Sequence, residues 1–156
     1  VGWMAYNRIW FDRDRLAVTV GGGAMNNPGR YLTLLPPING ADAISGSPYF
    51  TENPGQKIFQ WDSTLNLQYM PREWITWWAE LGFRHSSAPY FAGSGGVTPP
   101  GGNNGSPGNY VCQSGATAGT NDAQQAAAAC ADNGGVWYPD LRKQETKLSA
   151  GILVKF

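Results

Sequence analysis

The stretch Lys147-Leu-Ser-Ala-Gly-Ile-Leu-Val-Lys-Phe156 at the end of the sequence indicates the fold class. Every second residue is apolar, the intervening residues are polar or small, and Leu153 is the one exception. Successive side chains of a strand point to opposite faces, so the pattern predicts a strand with one apolar and one polar face. Such a strand suits either a half-buried position in a water-soluble sheet or the wall of a membrane barrel.

Four earlier segments alternate in the same way, which predicts strands at residues 1–11, 16–25, 58–70 and 74–86. The segment 58–70 has the cleanest pattern, because its odd positions other than Ser63 carry aromatic and leucine side chains while its even positions from 60 to 68 carry no aliphatic residue. The chain is therefore predicted to be all-β and antiparallel.

The predicted connections alternate between short and long. Asp12–Arg15 and Met70–Glu73 are expected to form tight turns, whereas residues 33–56 and 92–142 form long loops rich in Gly, Pro and Ser. Outer-membrane barrels combine tight periplasmic turns with long extracellular loops. This pattern places Phe156 and both turns on the periplasmic side and both long loops outside.

Composition excludes several classes of protein. The 156 residues carry 11 basic and 11 acidic side chains, so no basic patch for nucleic acid is expected. The sequence contains no run of 18 apolar residues, as a transmembrane helix would require. Neither a basic region nor an apolar core follows Val1, so we expect no signal peptide here and a sequence that begins inside a mature protein.

Five strands are too few for two good sheets, which argues against a soluble sandwich. They are also too few to close a barrel, because closed single-chain barrels have about eight strands or more. Residues 1–156 are therefore expected to be the C-terminal part of one larger outer-membrane barrel domain. The other strands would come from missing N-terminal residues or, as a weaker alternative, from neighbouring chains.

The two faces of the predicted barrel strands give two sets of candidate functional residues. The lumen-facing candidates are polar: Arg8, Gln60, Asp62, Asn66, Gln68, Thr76, Glu80, Arg84, Glu145 and Lys147. The membrane-interface candidates are aromatic and gather near both edges of the apolar band: Phe11, Phe59, Trp61, Tyr69, Trp74 and Phe83. The lumen set forms either a polar channel wall or a salt-bridged interior without transport.

The loop 92–142 contains the only cysteines, Cys112 and Cys130. Two cysteines cannot complete a structural zinc site, and in an oxidising compartment they are expected to pair. The Ala-rich segment Asp122–Cys130 predicts a short helix, which Thr120 or Asn121 could cap at its start and Gly134 could end.

Four segments resemble one known family, the OmpL-like β-barrel porins (the porin-2 family) of Gram-negative bacteria. They are Gly21-Gly-Gly-Ala-Met-Asn-Asn-Pro-Gly-Arg-Tyr-Leu-Thr-Leu-Leu-Pro-Pro37, Tyr90-Phe-Ala-Gly-Ser-Gly-Gly-Val-Thr-Pro-Pro-Gly-Gly102, Tyr138-Pro-Asp-Leu-Arg-Lys143 and Ile152-Leu-Val-Lys-Phe156. The resemblance implies an integral outer-membrane barrel with a porin role, surrounded by lipid. The terminal Phe156 resembles the assembly signal read by the barrel-assembly machinery. The chain departs from the family in its missing N-terminal barrel and in the inserted Cys112–Cys130 segment.

Three functions are compatible with the sequence. The first is an outer-membrane porin for passive diffusion of small solutes. The second is a structural or binding barrel that serves as a surface anchor, and the third is a sheath around an electron-transfer cytochrome. Enzymatic activity, a metal site and a cofactor are not expected, because Gly21-Gly-Gly23 lacks the P-loop Lys, His85 is the only histidine and Asp132-Asn-Gly134 lacks EF-hand spacing.

Overall fold

A computed structural model describes residues 1–28, 46–50, 56–102 and 108–156. The chain divides into two units. The sheet unit comprises Val1–Asn26, Phe59–His85 and Glu145–Phe156, and the loop unit comprises Asn27–Ile58 and Ser86–Gln144. Most of the predicted loop 33–56 lies outside the described residues, so its conformation stays a prediction.

The elements in chain order are β1 (Gly2–Phe11), β2 (Leu16–Asn27), β3 (Ile58–Arg72), β4 (Ile75–Ser86), β5 (Phe91–Ala92), α1 (Ala123–Ala129), β6 (Leu141–Arg142) and β7 (Gln144–Val154). Five of the strands form one sheet in the order β1-β2-β3-β4-β7. The all-β, mostly antiparallel class is therefore confirmed. In the described part of the chain, β1 and β7 are the two edges of this sheet.

The register between β1 and β2 aligns the faces predicted for each strand. Ile9 lies opposite Val18 on the apolar face, and Arg8 lies opposite Thr19 on the other. Because a slip by one residue would mix the two faces, the alternation of side chains specifies this register.

The two short turns differ in how well the sequence located them. The predicted turn at Asp12–Arg15 is confirmed, and it places Asp12, Arg13 and Asp14 in the left-handed region with φ of 50°, 52° and 67°. The second turn was predicted at Met70–Glu73, and this position is wrong because β3 continues through Arg72. Glu73 and Trp74 alone make the turn. Pro71 does not stop β3, because proline is tolerated near the end of a strand.

The loop unit contains more regular structure than predicted. β5 pairs with β6 in an antiparallel ladder that the sequence reading missed inside the long loop. The helix in the Ala-rich segment is confirmed, but its proposed caps are wrong. The carboxylate of Asp122 accepts hydrogen bonds from the backbone N–H groups of Gln124 and Gln125, at 3.0 and 2.9 Å. Gly134, with φ of 79°, ends the short 3-10 turn Ala131–Asn133 that follows the helix.

Candidate functional site

The apolar face of β3 is more exposed than its polar face. Leu65, Leu67 and Tyr69 are 39%, 44% and 50% exposed, whereas the polar residues between them are half-buried. Water-soluble sheets bury the apolar face, because removing apolar surface from water is the dominant favourable term in folding. The arrangement in β3 is the reverse of this rule.

The aromatic candidates form two groups at opposite ends of the sheet. Phe11, Tyr69 and Trp74 share one end with Phe156, where Lys155 N donates to Trp74 O at 2.9 Å and Met70 N donates to Arg15 O at 2.6 Å. Trp61 and Phe83 lie at the other end, with Phe59, and their ring centroids are 5.3 Å apart. The sequence predicted this grouping from strand positions alone.

The polar face carries three side-chain pairs that join strands of the sheet. Arg8 Nη2 donates to Gln68 Oε1 at 2.6 Å, and Asn66 Nδ2 donates to Glu80 Oε2 at 3.1 Å. Arg84 and Glu145 form an ion pair with 3.5 Å between Nη1 and Oε2. Since Arg84 is 56% exposed, this ion pair is worth no more than about 1 kcal/mol. The three pairs join β1 to β3, β3 to β4 and β4 to β7.

The remaining lumen candidates complete this face. Gln60, Asp62 and Thr76 are half-buried, and Lys147 is exposed. The charged members of the set are three basic and three acidic residues, namely Arg8, Arg84 and Lys147 against Asp62, Glu80 and Glu145. The candidate wall is therefore electrically balanced.

Two of the aromatic rings on the polar face pack over glycines, and the sequence did not identify them as site residues. A Cβ atom at Gly21 would collide with the ring of Tyr6, and one at Gly151 would lie 2.8 Å from Nε1 and 2.9 Å from two carbons of Trp78. Each ring therefore covers a glycine of the neighbouring strand. The signal available in the sequence was an aromatic residue on a polar strand face together with a glycine on another strand.

The predicted disulfide between Cys112 and Cys130 is confirmed. Their Cα atoms are 5.3 Å apart, and both residues are buried. The bond links the segment before α1 to the residue that ends the helix. It therefore fixes the helix to its own loop.

An aromatic cluster that was not predicted brings Tyr49 together with aromatic residues that flank the Cys112–Cys130 segment in sequence. The ring of Tyr49 contacts Tyr110 and Trp137 edge-on, with centroids 5.1 and 5.4 Å apart. Val111 N donates to the Tyr49 hydroxyl at 2.7 Å. Burial raises the pKa of Tyr49, because desolvation disfavours the phenolate.

Asp140 closes a glycine-rich turn in the same unit. Its carboxylate accepts a hydrogen bond from Gly95 N at 3.0 Å and pairs with Arg142 Nε at 2.6 Å. The Arg142 guanidinium, followed by the Gly95 N–H, lowers the pKa of Asp140. Among the described residues, no group of three or more His, Cys, Asp or Glu side chains could hold a metal ion. The contacts of Asp140 with Gly95 and Arg142 link the turn to β6.

Comparisons with known proteins leave the family open. No family model, curated protein or solved structure matches this chain. None of the helices in the described ranges is long and apolar enough to cross a membrane.

Proposed function

We propose that this chain forms part of the wall of an outer-membrane β-barrel that allows small solutes to diffuse passively. The observation that carries the proposal is the reversed exposure of β3, with large apolar side chains outward and polar side chains shielded. A lipid-exposed apolar band around a polar interior is the arrangement of membrane barrels. In water, an apolar face of this extent would favour aggregation.

The lengths of the strands support the same proposal. β1 has 10 residues, β7 has 11, β2 and β4 have 12 each, and β3 has 15. A tilted strand needs about 9–11 residues to cross a bilayer, whereas strands of globular proteins have about 5–6. The aromatic groups at the two ends of the sheet match the interfacial belts that flank a bilayer core.

The edges of the sheet define what else the barrel needs. Five strands cannot close a barrel, so β1 and β7 would pair with further strands of the same protein or of neighbouring copies. In this proposal lipid covers the apolar face, and Phe156 is part of the signal for the barrel-assembly machinery. The resemblance to OmpL-like porins, carried by Gly21–Pro37 and Ile152–Phe156, supports an outer-membrane location.

A barrel without an open pore is the second candidate function. The observations that favour it are the three linked pairs on the polar face and the folded loop unit with its disulfide. Polar pairs can fill a barrel interior, and an ordered outer loop can bind a partner. The barrel would then serve as a surface anchor or as a sheath around a cytochrome.

Ion conductance separates the two candidates. The full-length protein, extracted from outer membranes and inserted into planar bilayers, should produce stepwise increases in current with weak selectivity, because the wall charges balance. Glu80→Gln removes one negative charge from the polar face, so it should shift the reversal potential in the direction of greater anion selectivity. Asp132→Asn makes the same chemical change in the loop unit and should shift it less. Inserted protein that conducts no ions would reject the porin function and favour the anchor or sheath.

A further inference from the structure

The polar face presents two aromatic surfaces as well as hydrogen-bonding groups. Three indole atoms of Trp78 lie at nearly equal distances, 2.8–2.9 Å, from the position of a Cβ at Gly151. One face of the indole therefore lies over the backbone at Gly151, and Trp78 is partly exposed. The ring of Tyr6 covers Gly21 in the same way and is 56% exposed.

The third aromatic residue on this face is already covered. The guanidinium of Arg8 lies 4.1 Å from the centroid of the Trp10 ring. Such a cation above an aromatic face is a favourable contact that occupies the ring. Trp78 and Tyr6 are therefore the aromatic faces of this set that a passing solute could contact.

The polar pairs supply the second half of a recognition surface. Arg8 with Gln68 and Asn66 with Glu80 offer both donors and acceptors, and their side chains are held in place by the pairing. Counting all six charged candidates, the wall carries three charges of each sign. A surface of this kind favours solutes that are neutral and rich in hydroxyl groups over ions of either sign.

We propose that this face binds neutral sugars as they pass, an inference that rests on the proposed channel function. A pyranose ring has an apolar C–H face and a rim of hydroxyl groups. The C–H face would pack on Trp78 or Tyr6, where the π surface is negative, and the hydroxyl groups would exchange hydrogen bonds with the polar pairs. Because glycine has no Cβ, Gly21 and Gly151 leave room for the two rings to lie against the strands.

The test measures block of the ion current by maltotriose in planar bilayers containing the full-length protein. Maltotriose should reduce the current reversibly and to a saturating extent. Trp78→Ala should weaken this binding roughly fivefold to tenfold, in line with the worth of an aromatic face contact, and leave the ion current in place. Trp77→Ala is the matched control, because Trp77 is the preceding residue on the opposite face of β4 and is 49% exposed.

Gly151→Ala is a second variant that keeps the indole but forces it off the strand, so it should also weaken the block by maltotriose. Tyr6→Leu tests the other ring if the Trp78 variant does not insert. The inference is overturned if maltotriose leaves the current unchanged, if the Trp77 and Trp78 variants behave alike, or if a zwitterionic peptide such as triglycine blocks more strongly. An absence of ion current in every variant would overturn the channel function itself, which is a distinguishable result.

Discussion

At the scale of single residues, Tyr49 links burial to a measurable pH dependence. Burial raises the pKa of its phenol from the ordinary value of 10.0, and it acts in the same direction on Tyr90 and Tyr110. A raised pKa means that the folded loop unit prefers the neutral phenol. Its contribution to stability is therefore complete below about pH 10 and is lost as the pH rises through the raised pKa.

We expect amide hydrogen exchange around Val111 to accelerate as the pH rises above about 10, beyond the increase of the intrinsic exchange rate, and Tyr49→Phe to reduce that extra dependence. The variant should also be less stable at neutral pH by about 1 kcal/mol, because Val111 N loses its acceptor. Tyr138→Phe removes a hydroxyl from a ring that is 62% exposed and serves as the control. Equal pH profiles for the wild type and Tyr49→Phe would contradict this assignment.

Some residues could be assigned from the sequence, whereas others needed the structure. The two faces of β3 follow from alternation, because the backbone alone decides on which side each residue lies. Trp78 and Gly151 could not be paired in advance, since their contact depends on the register between β4 and β7. The cap at Asp122 was missed because Thr120, Asn121 and Asp122 are all good cap residues, and local geometry selects among them.

At the scale of elements, α1 depends on its disulfide. The helix has only seven residues, and isolated helices of that length are unstable in water. The Cys112–Cys130 bond spans 18 residues, which stabilises the loop by about 3 kcal/mol in the chain-entropy model. The folded state of this segment therefore rests on the covalent link and on the buried residues around it.

Replacing both cysteines by serine should raise amide exchange in Ala123–Ala129 by roughly a hundredfold, the equivalent of about 3 kcal/mol. The strands of the sheet unit should keep their protection, because β1, β2, β3, β4 and β7 are hydrogen-bonded to one another. Wild-type protein treated with reductant after partial unfolding should match the double variant. Unchanged exchange in α1 after loss of both sulfurs would show that packing alone holds the helix.

The element scale also shows why the loop unit was underestimated. β5 and β6 have two residues each, too few for any alternation to be visible in the sequence. Their pairing is nonlocal, with Phe91 opposite Arg142. Long strands can be predicted from their own residues, whereas such short ladders form only after their surroundings bring them together.

At the scale of the whole molecule, the membrane proposal makes opposite predictions for two adjacent residues of β3. Leu65 lies on the apolar face and is 39% exposed, while Thr64 lies on the polar face and is half-buried. Neither belongs to the three polar pairs described above. If the sheet is part of a membrane barrel, the first side chain meets lipid and the second meets the interior.

Single cysteines at these positions, Leu65→Cys and Thr64→Cys, can carry a fluorescent label, because the native cysteines are both bonded. In vesicles, a lipid with brominated acyl chains should quench the label at position 65 strongly and the label at position 64 weakly. If the barrel interior is filled with water, iodide in the aqueous phase should quench the label at position 64 more strongly than the label at position 65. If side chains fill the interior, iodide should quench neither label. Strong iodide quenching at position 65, without quenching by the brominated lipid, would place the apolar face in water and reject the channel, anchor and sheath together. Alternation alone predicts that two neighbouring residues differ, and this measurement identifies the solvent on each side.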